Sequence, residues 1–213
     1  MQQAVASGPP VTPRGERVSF INYANREINC KIVYCGPGLS GKTTNITQIY
    51  RAANPSFRGK LVTLNTEMDR TLFFDFLPLE LGKIAGFNVR FHLYTVPGQV
   101  FYEASRRLIL KGADGVVFVA DSRKDRMDAN YEAMRDLEEN LKLYNLHFNE
   151  LPYALQLNKR DLDEVHDVPF LTKELRVGNE PVYEAIATAN KGVPETLRDV
   201  AKQVLRRLRE EMS

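Results

Sequence analysis

A glycine-rich turn with a single lysine has the most specific chemistry in this sequence. The turn reads "GPGLSGKTT" and directly follows the apolar segment "CKIVYC". Glycines let backbone N–H groups approach phosphate oxygens because no Cβ stands in the way. The turn therefore predicts a site for a nucleoside triphosphate. The pattern G-x-x-x-x-G-K-[ST] is matched at Gly36, Gly41, Lys42 and Thr43.

Each residue type of the turn has a defined chemical use in such a site. Lys42 supplies a cation for the β- and γ-phosphates, and the Thr43 hydroxyl can ligate Mg²⁺. The segment "TTNITQIYRAA" predicts a helix whose N-terminal N–H groups and dipole also attract anions. The predicted phosphate-binding residues are Gly36, Gly38, Leu39, Ser40, Gly41, Lys42, Thr43 and Thr44.

A second motif, "NKRD", indicates which base the site accepts. The Asp161 carboxylate can accept hydrogen bonds from N1–H and the 2-amino group of guanine, two donors that adenine does not present together. Lys159 can lay its aliphatic stem along the base, and Asn158 can tie this loop to the phosphate-binding turn. Further along, the backbone of Ala187 and Thr188 can meet guanine O6. A site built this way rejects a base that leaves its carboxylate unpaired, so the motif predicts guanine.

Strand and helix patterns place both motifs in one sheet. Short apolar or alternating segments predict strands, and apolar residues that recur every three or four positions predict helices. Their alternation indicates a doubly wound α/β fold with a mostly parallel sheet and helices on both faces. Ligands of such sheets bind beyond the carboxyl ends of the strands. The predicted strands are "REINCKIVYC", "GKLVTLNTE", "FNVRFHLYTV", "GVVFVAD", "YALQLNKRD" and "PVYEAIAT", and further helices are predicted over 127–144 and 193–208.

Length and composition limit the class of function. The 213 residues fit one domain, and 43% hydrophobic residues are enough for a globular core. A formal net charge of +2 gives no strong field for nucleic acid. Cys30 and Cys35, the only cysteines, are expected to be buried thiols that pack beside a strand. No apolar run exceeds five residues, so we expect no membrane span and a cytoplasmic protein.

The first seventeen residues differ in composition from the rest of the chain. Residues 1–17 contain three prolines and two glycines and almost no large apolar side chain. Such a segment cannot bury enough surface to offset its loss of entropy on ordering, so we predict a disordered tail. The predicted domain is 18–213. A second interpretation, in which Val18 is the start of the protein, stays open.

Long stretches of the sequence resemble the Ras-like small GTPases, and within them a bacterial branch that controls gliding motility and cell polarity. The resemblance extends from Val18 to the C-terminus. It implies a small G domain that binds GTP or GDP with Mg²⁺ and hydrolyses GTP slowly until an activator stimulates it. The segments that carry it are "SFINYANREINCKIVYCGPGLSGKTTN", "RTLFFDFLPLELG", "FHLYTVPGQVFYEASRRLILKGADGVVFVADS" and "NKRDL".

The resemblance also implies roles for residues of two switch segments, which the γ-phosphate orders and hydrolysis releases. Thr71 matches the switch I threonine that contacts Mg²⁺ and senses the γ-phosphate. Gln99 matches the glutamine that orients the attacking water, and the preceding Gly98 matches a nucleotide-binding glycine. Arg70 matches an arginine finger supplied by the same chain, whose guanidinium stabilises transition-state charge. An exposed loop arginine is the alternative for Arg70.

One position departs from the pattern of most Ras relatives. Where they carry an aspartate that holds a Mg²⁺-bound water, this chain has Thr95, in "TVPG". Two interpretations stay open: the metal site is weaker than usual, or Asp75 compensates through a water molecule. Asp75 lies among aromatic residues, so a surface-facing carboxylate with no role at the metal is the alternative.

Aromatic residues beside the switch segments indicate a partner site. Alternation along "TLFFDFLPLEL" predicts that about half of its large apolar side chains lie in the core, and the others form an apolar patch. By resemblance, the partner is a homodimeric roadblock-type protein that activates the GTPase, and effectors of polarity or motility bind as well. The resemblance also implies enrichment at a cell pole. The residues concerned are Phe73, Phe74, Phe76 and Leu77, with Phe101 and Tyr102 interpreted in the same way.

Two other classes of function compete with a GTPase switch. A P-loop kinase or ATPase would need a second substrate site and would tolerate adenine, which Asp161 argues against. A scaffold that holds GTP without hydrolysing it is consistent with Thr95. Gln99 and Arg70 argue against such a scaffold.

The guanine hypothesis predicts that Asp161→Asn shifts the base preference from guanine toward xanthine. The new amide N–H would face the carbonyl at C2 of xanthine, where guanine presents its amino group. Displacement of labelled GDP by unlabelled xanthosine diphosphate measures the shift, with Asp163→Asn as a control in the same loop. A variant that still strongly prefers GDP would contradict this account of base recognition.

Overall fold

An eight-stranded sheet forms the centre of the protein, with helices on both of its faces. The computed structural model describes residues 20–65, 73–97 and 103–212. Within these ranges the strands are β1 Phe20–Asn22, β2 Glu27–Cys35, β3 Val62–Asn65, β4 Phe73–Ile84, β5 Phe87–Thr95, β6 Gly115–Asp121, β7 Tyr153–Asn158 and β8 Val182–Glu184. The helices are α1 Lys42–Ala52, α2 Glu103–Leu110, α3 Met127–Lys142, α4 Val168–Leu175 and α5 Val193–Glu211.

The sheet is parallel through its middle and antiparallel at one side. Its strand order is β3-β4-β5-β2-β6-β7-β8. The pairs β2–β5, β2–β6, β6–β7 and β7–β8 are parallel, whereas β3–β4 and β4–β5 are antiparallel. β1 pairs with the amino-terminal part of β2, which leaves the rest of that edge to β6. The predicted α/β fold with a mostly parallel sheet is confirmed.

Burial along the strands follows from how many helices cover them. β6 and β7 are buried at every residue because helices pack on both of their faces. β5 alternates between buried and half-buried residues, as expected for a strand with one face in the core. One core cluster joins the sheet to α1 and α5, and a second lies against α2, α3 and α4. Cys30 and Cys35 are buried in these two clusters as free thiols, as predicted.

Several elements differ from the predicted set or were not predicted. The long strand β4 pairs with β5 through a two-residue turn at Ala85 and Gly86, whose φ angles are 48° and 83°. Two residues with positive φ are typical of the tight turns that fit the twist of a hairpin. β1, α2 and α4 are short, so their periodic patterns are too brief to recognise. β8 is shorter than predicted because the chain enters a 3₁₀ turn at Ala187–Ala189.

The topology brings several loops to one edge of the sheet. Because β2, β5, β6, β7 and β8 all run in parallel, their carboxyl ends lie along the same edge. The glycine-rich turn follows β2, and "NKRD" begins at the end of β7. This edge is where ligands of such sheets bind. As a separate observation, no helix among the described residues is long and apolar enough to cross a membrane.

Gly115 allows α5 to pack closely on the sheet. A Cβ on Gly115 would lie 2.9 Å from Val200 Cγ1 and 3.0 Å from Val204 Cγ2. We expect Gly115→Val to lower the free energy of unfolding by about 1–3 kcal/mol, because the added side chain must displace packed neighbours. Urea denaturation measures this. Gly178→Val is the control, since its Cβ would meet only Glu180 Oε2 at 3.4 Å. Equal stability of the two variants would contradict the packing argument.

Candidate nucleotide site

Two glycines shape the loop between β2 and α1, residues 36–41, which we call the phosphate loop. Gly36 has φ 130°, and a Cβ there would lie 2.3 Å from the carbonyl oxygen of Val119. Gly41 has φ 105°, and a Cβ there would lie 2.2 Å from Asn158 Nδ2. Both positions therefore require glycine, for conformation and for space. The loop is packed against the ends of β6 and β7, so its shape depends on the sheet beneath it.

The Lys42 ammonium lies inside the phosphate loop. Its Nζ donates to the carbonyl oxygens of Gly36 at 2.9 Å and Pro37 at 2.6 Å. The side chain is buried, and this loss of hydration lowers the pKa of Lys42 to about 8. A phosphate group in the loop would offset this loss of hydration, because its negative charge attracts the ammonium. The geometry therefore fits the predicted role of Lys42 toward an anion.

The other predicted loop residues differ in how they are placed. Leu39 has φ 65° and is 84% exposed, so the backbone of Leu39 shapes the loop while its side chain faces solvent. Ser40 is fully buried. Gly38 and Thr44 are partly buried at the loop and in the first turn of α1. That turn has no acidic residue, so its N–H groups face no competing carboxylate of their own helix.

A buried carboxylate lies directly beside the predicted metal ligand. The Thr43 hydroxyl donates to Asp75 Oδ2 at 2.7 Å. Thr63 donates to Asp75 Oδ1 at 2.9 Å, and Thr95 donates to Oδ2 at 3.0 Å. Asp75 is only 4% exposed, so the interpretation of it as a surface-facing carboxylate is wrong. A buried carboxylate requires such donors to offset its loss of hydration.

Strand pairing explains how Asp75 reaches this position. Phe76 of β4 pairs with Tyr94 of β5, which sets Asp75 across from Thr95. The Asp75 backbone N–H donates to Thr95 Oγ1 at 2.8 Å, while that hydroxyl donates to the Asp75 carboxylate. The carboxylate therefore lies on β4, the strand next to the one that carries Thr95. The two contacts with Thr95 hold it in place.

Asn158 links three loops at the edge of the sheet. Its Nδ2 donates to the carbonyl oxygen of Ser40 at 2.7 Å, as the predicted tie to the phosphate loop requires. Its Oδ1 accepts from the Ala187 N–H at 2.9 Å. The predicted contact of the Ala187 and Thr188 backbone with the base stays a prediction. The Thr188 carbonyl oxygen accepts from Gln48 of α1 at 2.9 Å, which holds that segment against the helix.

The residues predicted to contact the base lie at the mouth of the site. Lys159 has φ 67°, a left-handed conformation that side-chain-bearing residues rarely adopt. Its ammonium donates to Asp121, a contact that the sequence did not predict. Asp161 is exposed, in the turn that follows β7, where its carboxylate is open to a ligand. Sequence reasoning missed Asp121 although one signal was present: an acidic residue ends an otherwise apolar strand at the ligand-binding edge.

The predicted catalytic residues lie outside the described ranges. These residues are Gln99 and Arg70. The predicted nucleotide-binding residues Thr71 and Gly98, the aromatic residues Phe101 and Tyr102, and the predicted tail 1–17 lie outside the described ranges as well. Their roles stay predictions.

The side-chain oxygens of Thr43 and Asp75 are of the kind that magnesium binds. Within the described residues no group of three or more His, Cys, Asp or Glu side chains could hold a metal. Thr43 and Asp75 instead offer one hydroxyl and one carboxylate. Mg²⁺ commonly binds through a few protein oxygens together with phosphate oxygens and waters, so the two residues fit that ion.

The aromatic residues of β4 follow the predicted alternation. Leu77 is fully buried, whereas Phe74 and Phe76 are half-buried and stand on the opposite face. Both rings lie near Tyr94, with centroid distances of 5.8 Å from Phe74 and 4.9 Å from Phe76. The face that they form is therefore available for the predicted partner contact, which stays a prediction.

Comparison with known proteins relates this site to one relative. No protein-family model matches the chain. The chain is 58% identical over 192 residues to the mutual gliding-motility protein MglA of Myxococcus xanthus (strain DK1622). The alignment covers 90% of this chain and 98% of that protein. An alignment of this extent includes the phosphate loop, β4, β5 and the segment predicted to bind the base.

Proposed function

Because this chain belongs to the MglA family of Ras-like small GTPases, we propose that it is a magnesium-dependent switch in which Thr43 and Asp75 hold the metal together. The chain binds guanine nucleotide and hydrolyses GTP, a reaction that an activator stimulates in this family. The observation that carries the proposal is the hydrogen bond from Thr43 Oγ1 to Asp75 Oδ2, at 2.7 Å.

The direction of that hydrogen bond suits a hydroxyl that ligates a cation. Since the Thr43 proton points to Asp75, the lone pairs of the Thr43 oxygen are free to face a metal ion. The neighbouring carboxylate adds the negative charge that Thr95 lacks. It can also accept a hydrogen bond from a water bound to the ion, as partners of metal ligands commonly do. Asp75 therefore supplies the negative charge and the hydrogen-bond acceptor that most Ras relatives obtain from an aspartate at the position of Thr95.

Thr95 contributes by orientation and not by charge. Its hydroxyl accepts from the Asp75 N–H at 2.8 Å and donates to Asp75 Oδ2 at 3.0 Å. These two contacts fix both the backbone and the carboxylate of Asp75. Thr95 and Asp75 therefore act together in the proposed metal site, and we favour this arrangement over the alternative of a weakened site.

The other residues of the site bind and orient the nucleotide. Mg²⁺, when bound, neutralises charge on the β- and γ-phosphates. The phosphate loop and Lys42 bind the phosphates, and Asp161 selects guanine with Lys159 along the base. Thr71 senses the γ-phosphate and ligates the metal. Gln99 orients the attacking water while Arg70 stabilises charge on the transferred group.

The biological setting follows from the family. The Myxococcus xanthus relative is a gliding-motility protein, and the alignment covers 98% of it. We infer that this chain controls gliding motility or cell polarity from the cytoplasm, with enrichment at a cell pole. Its expected activator is a roadblock-type, MglB-like homodimer that binds near the switch segments. Phe74 and Phe76 offer half-buried aromatic rings on β4, which closely follows the predicted switch I threonine in sequence.

The metal proposal predicts a specific defect in Asp75→Asn. Loss of the carboxylate charge should raise the Mg²⁺ concentration needed for tight GDP binding by about tenfold or more, as expected when a partner of a metal ligand is removed. Release of a fluorescent GDP analogue, followed across a Mg²⁺ titration, measures it. Glu80→Gln is the matched control, because Glu80 is an exposed carboxylate on the same strand that pairs with Arg90. An unchanged Mg²⁺ requirement in a folded Asp75→Asn protein would refute the role of Asp75.

The catalytic proposal predicts that Gln99→Leu and Arg70→Ala separate binding from hydrolysis. Each variant should bind GTP nearly as the native protein does, yet slow activator-stimulated hydrolysis by about 10³-fold or more. Single-turnover hydrolysis with and without an MglB-like activator measures this, with Arg51→Ala as the control for an exposed arginine. Loss of GTP binding would reassign both side chains to structure. Hydrolysis in neither the native protein nor its activator complex would favour a scaffold that only holds GTP.

A further inference from the structure

A buried carboxylate that has no role in the proposed function lies at the end of β6. Asp121 is 0% exposed and ends a strand whose residues are all buried. Its backbone is fixed by Asn130 of α3, which accepts from the Asp121 N–H at 3.0 Å and donates to its carbonyl oxygen at 2.9 Å. The carboxylate therefore projects from a rigid position at the ligand-binding edge.

The Asp121 carboxylate accepts hydrogen bonds from two basic residues. Lys159 Nζ donates to Oδ2 at 2.7 Å, and Arg123 Nη2 donates to the same oxygen at 3.1 Å. The backbone N–H and Nε of Arg123 both donate to Oδ1 at 3.2 Å. Burial raises the pKa of Asp121, but these hydrogen bonds outweigh it and lower the pKa below its usual value. The group is therefore charged at neutral pH.

We propose that Asp121 is a positioning residue that couples recognition of guanine to the conformation of the phosphate loop. It would act through Lys159 on one side and Arg126 on the other. The proposal rests on the GTP-binding site described above and adds a residue for which neither motif has a place.

The first connection runs to the base. Lys159 belongs to the base-binding motif, and its stem must lie along the plane of guanine to pack on it. The φ angle of 67° and the ion pair with Asp121 together fix where that stem runs. An ammonium without this partner would be free to leave the position, because the lysine side chain has four rotatable bonds. Asp121 thus sets the direction of a side chain that contacts the nucleotide.

The second connection runs to the phosphates. Arg126 Nη2 donates to the carbonyl oxygen of Gly38, in the phosphate loop, at 3.0 Å. Its Nε lies 3.9 Å from Asp121 Oδ2, close enough for an ion pair. The same carboxylate oxygen therefore faces the cation that holds the phosphate loop and the cation that holds the base. This link is separate from the one that Asn158 makes to Ser40.

The direct test is the release of a fluorescent GDP analogue from Asp121→Asn. The substitution keeps the shape of the side chain and removes its charge, so Lys159 and Arg126 lose their common partner. We expect release to be about tenfold faster or more, as for the loss of a charge-assisted hydrogen bond. The control is Asp114→Asn, just before the opposite end of β6, whose carboxylate accepts from the Lys31 N–H at 2.6 Å. That variant should release GDP at the native rate even where its melting temperature falls.

A double-mutant cycle separates positioning from a merely structural role. We expect Lys159→Met to change the rate of GDP release strongly in the native chain. In Asp121→Asn, where the carboxylate is gone, the same substitution should have a much smaller effect. Arg126→Met should behave in the same way. Multiplicative effects in both cycles, or a native release rate in folded Asp121→Asn, would overturn the proposal.

Two further measurements keep the test decisive. If Asp121→Asn does not fold, the cycle between Lys159→Met and Arg126→Met replaces it, since both side chains are partly exposed. Coupling between these two substitutions supports a shared partner, and independence refutes it. Failure of the native protein to bind GDP would instead reject the guanine-nucleotide site on which the proposal rests. The two failures are therefore distinguishable.

Discussion

The hydrogen bond between Thr43 and Asp75 joins the first turn of α1 to a strand that no standard motif connects with phosphate binding. A hydroxyl at the N-terminus of α1 and a carboxylate of β4 lie 2.7 Å apart, across 32 residues of sequence. The carboxylate is buried and is held by three hydroxyl groups. An isolated buried charge is costly, so a carboxylate is buried only where hydrogen-bond donors or a cation compensate its charge. The proposed metal site thus depends on how β4 pairs with β5.

That dependence connects nucleotide binding with the position of a strand. β4 lies between β3 and β5, both of which it meets in antiparallel pairs. A shift of one residue in such a pair would turn the side chain of Asp75 to the other face of the sheet. The register that brings Asp75 to Thr43 therefore also decides on which face of β4 the half-buried rings of Phe74 and Phe76 lie, opposite Asp75 and Leu77. The proposed metal site and the surface of β4 both depend on this one register.

Local sequence patterns predicted the parts of the site whose constraints are local. Gly36 and Gly41 have positive φ angles and no room for a Cβ, so the phosphate loop has a strong sequence pattern. Asn158 was predicted to tie two loops, and its hydrogen bond to Ser40 confirms this. The parallel core of the sheet followed from apolar strands that alternate with helices. The glycine conformations and the parallel core depend on neighbours in sequence or on a repeated pattern, which a single chain displays. The Asn158 contact spans 118 residues and was predicted from its motif.

Features that depend on contacts between distant segments were harder to predict. Asp75 stands between aromatic residues, and only the pairing of β4 with β5 distinguishes a buried carboxylate from a surface one. Asp121 contacts Lys159 across 38 residues, and neither motif includes it. For β4, alternation along "TLFFDFLPLEL" indicated a strand, but its antiparallel pairing with β5 was not predicted. In each case the missing information was the register or order of strands.

The most direct test of the account is a crystal structure of the protein with Mg²⁺ and a non-hydrolysable GTP analogue. We expect a metal ion ligated by Thr43 Oγ1, with an Asp75 carboxylate oxygen hydrogen-bonded to a water in the coordination sphere of the ion. A metal ion whose waters are held by another carboxylate, with Asp75 turned away from Thr43, would contradict it.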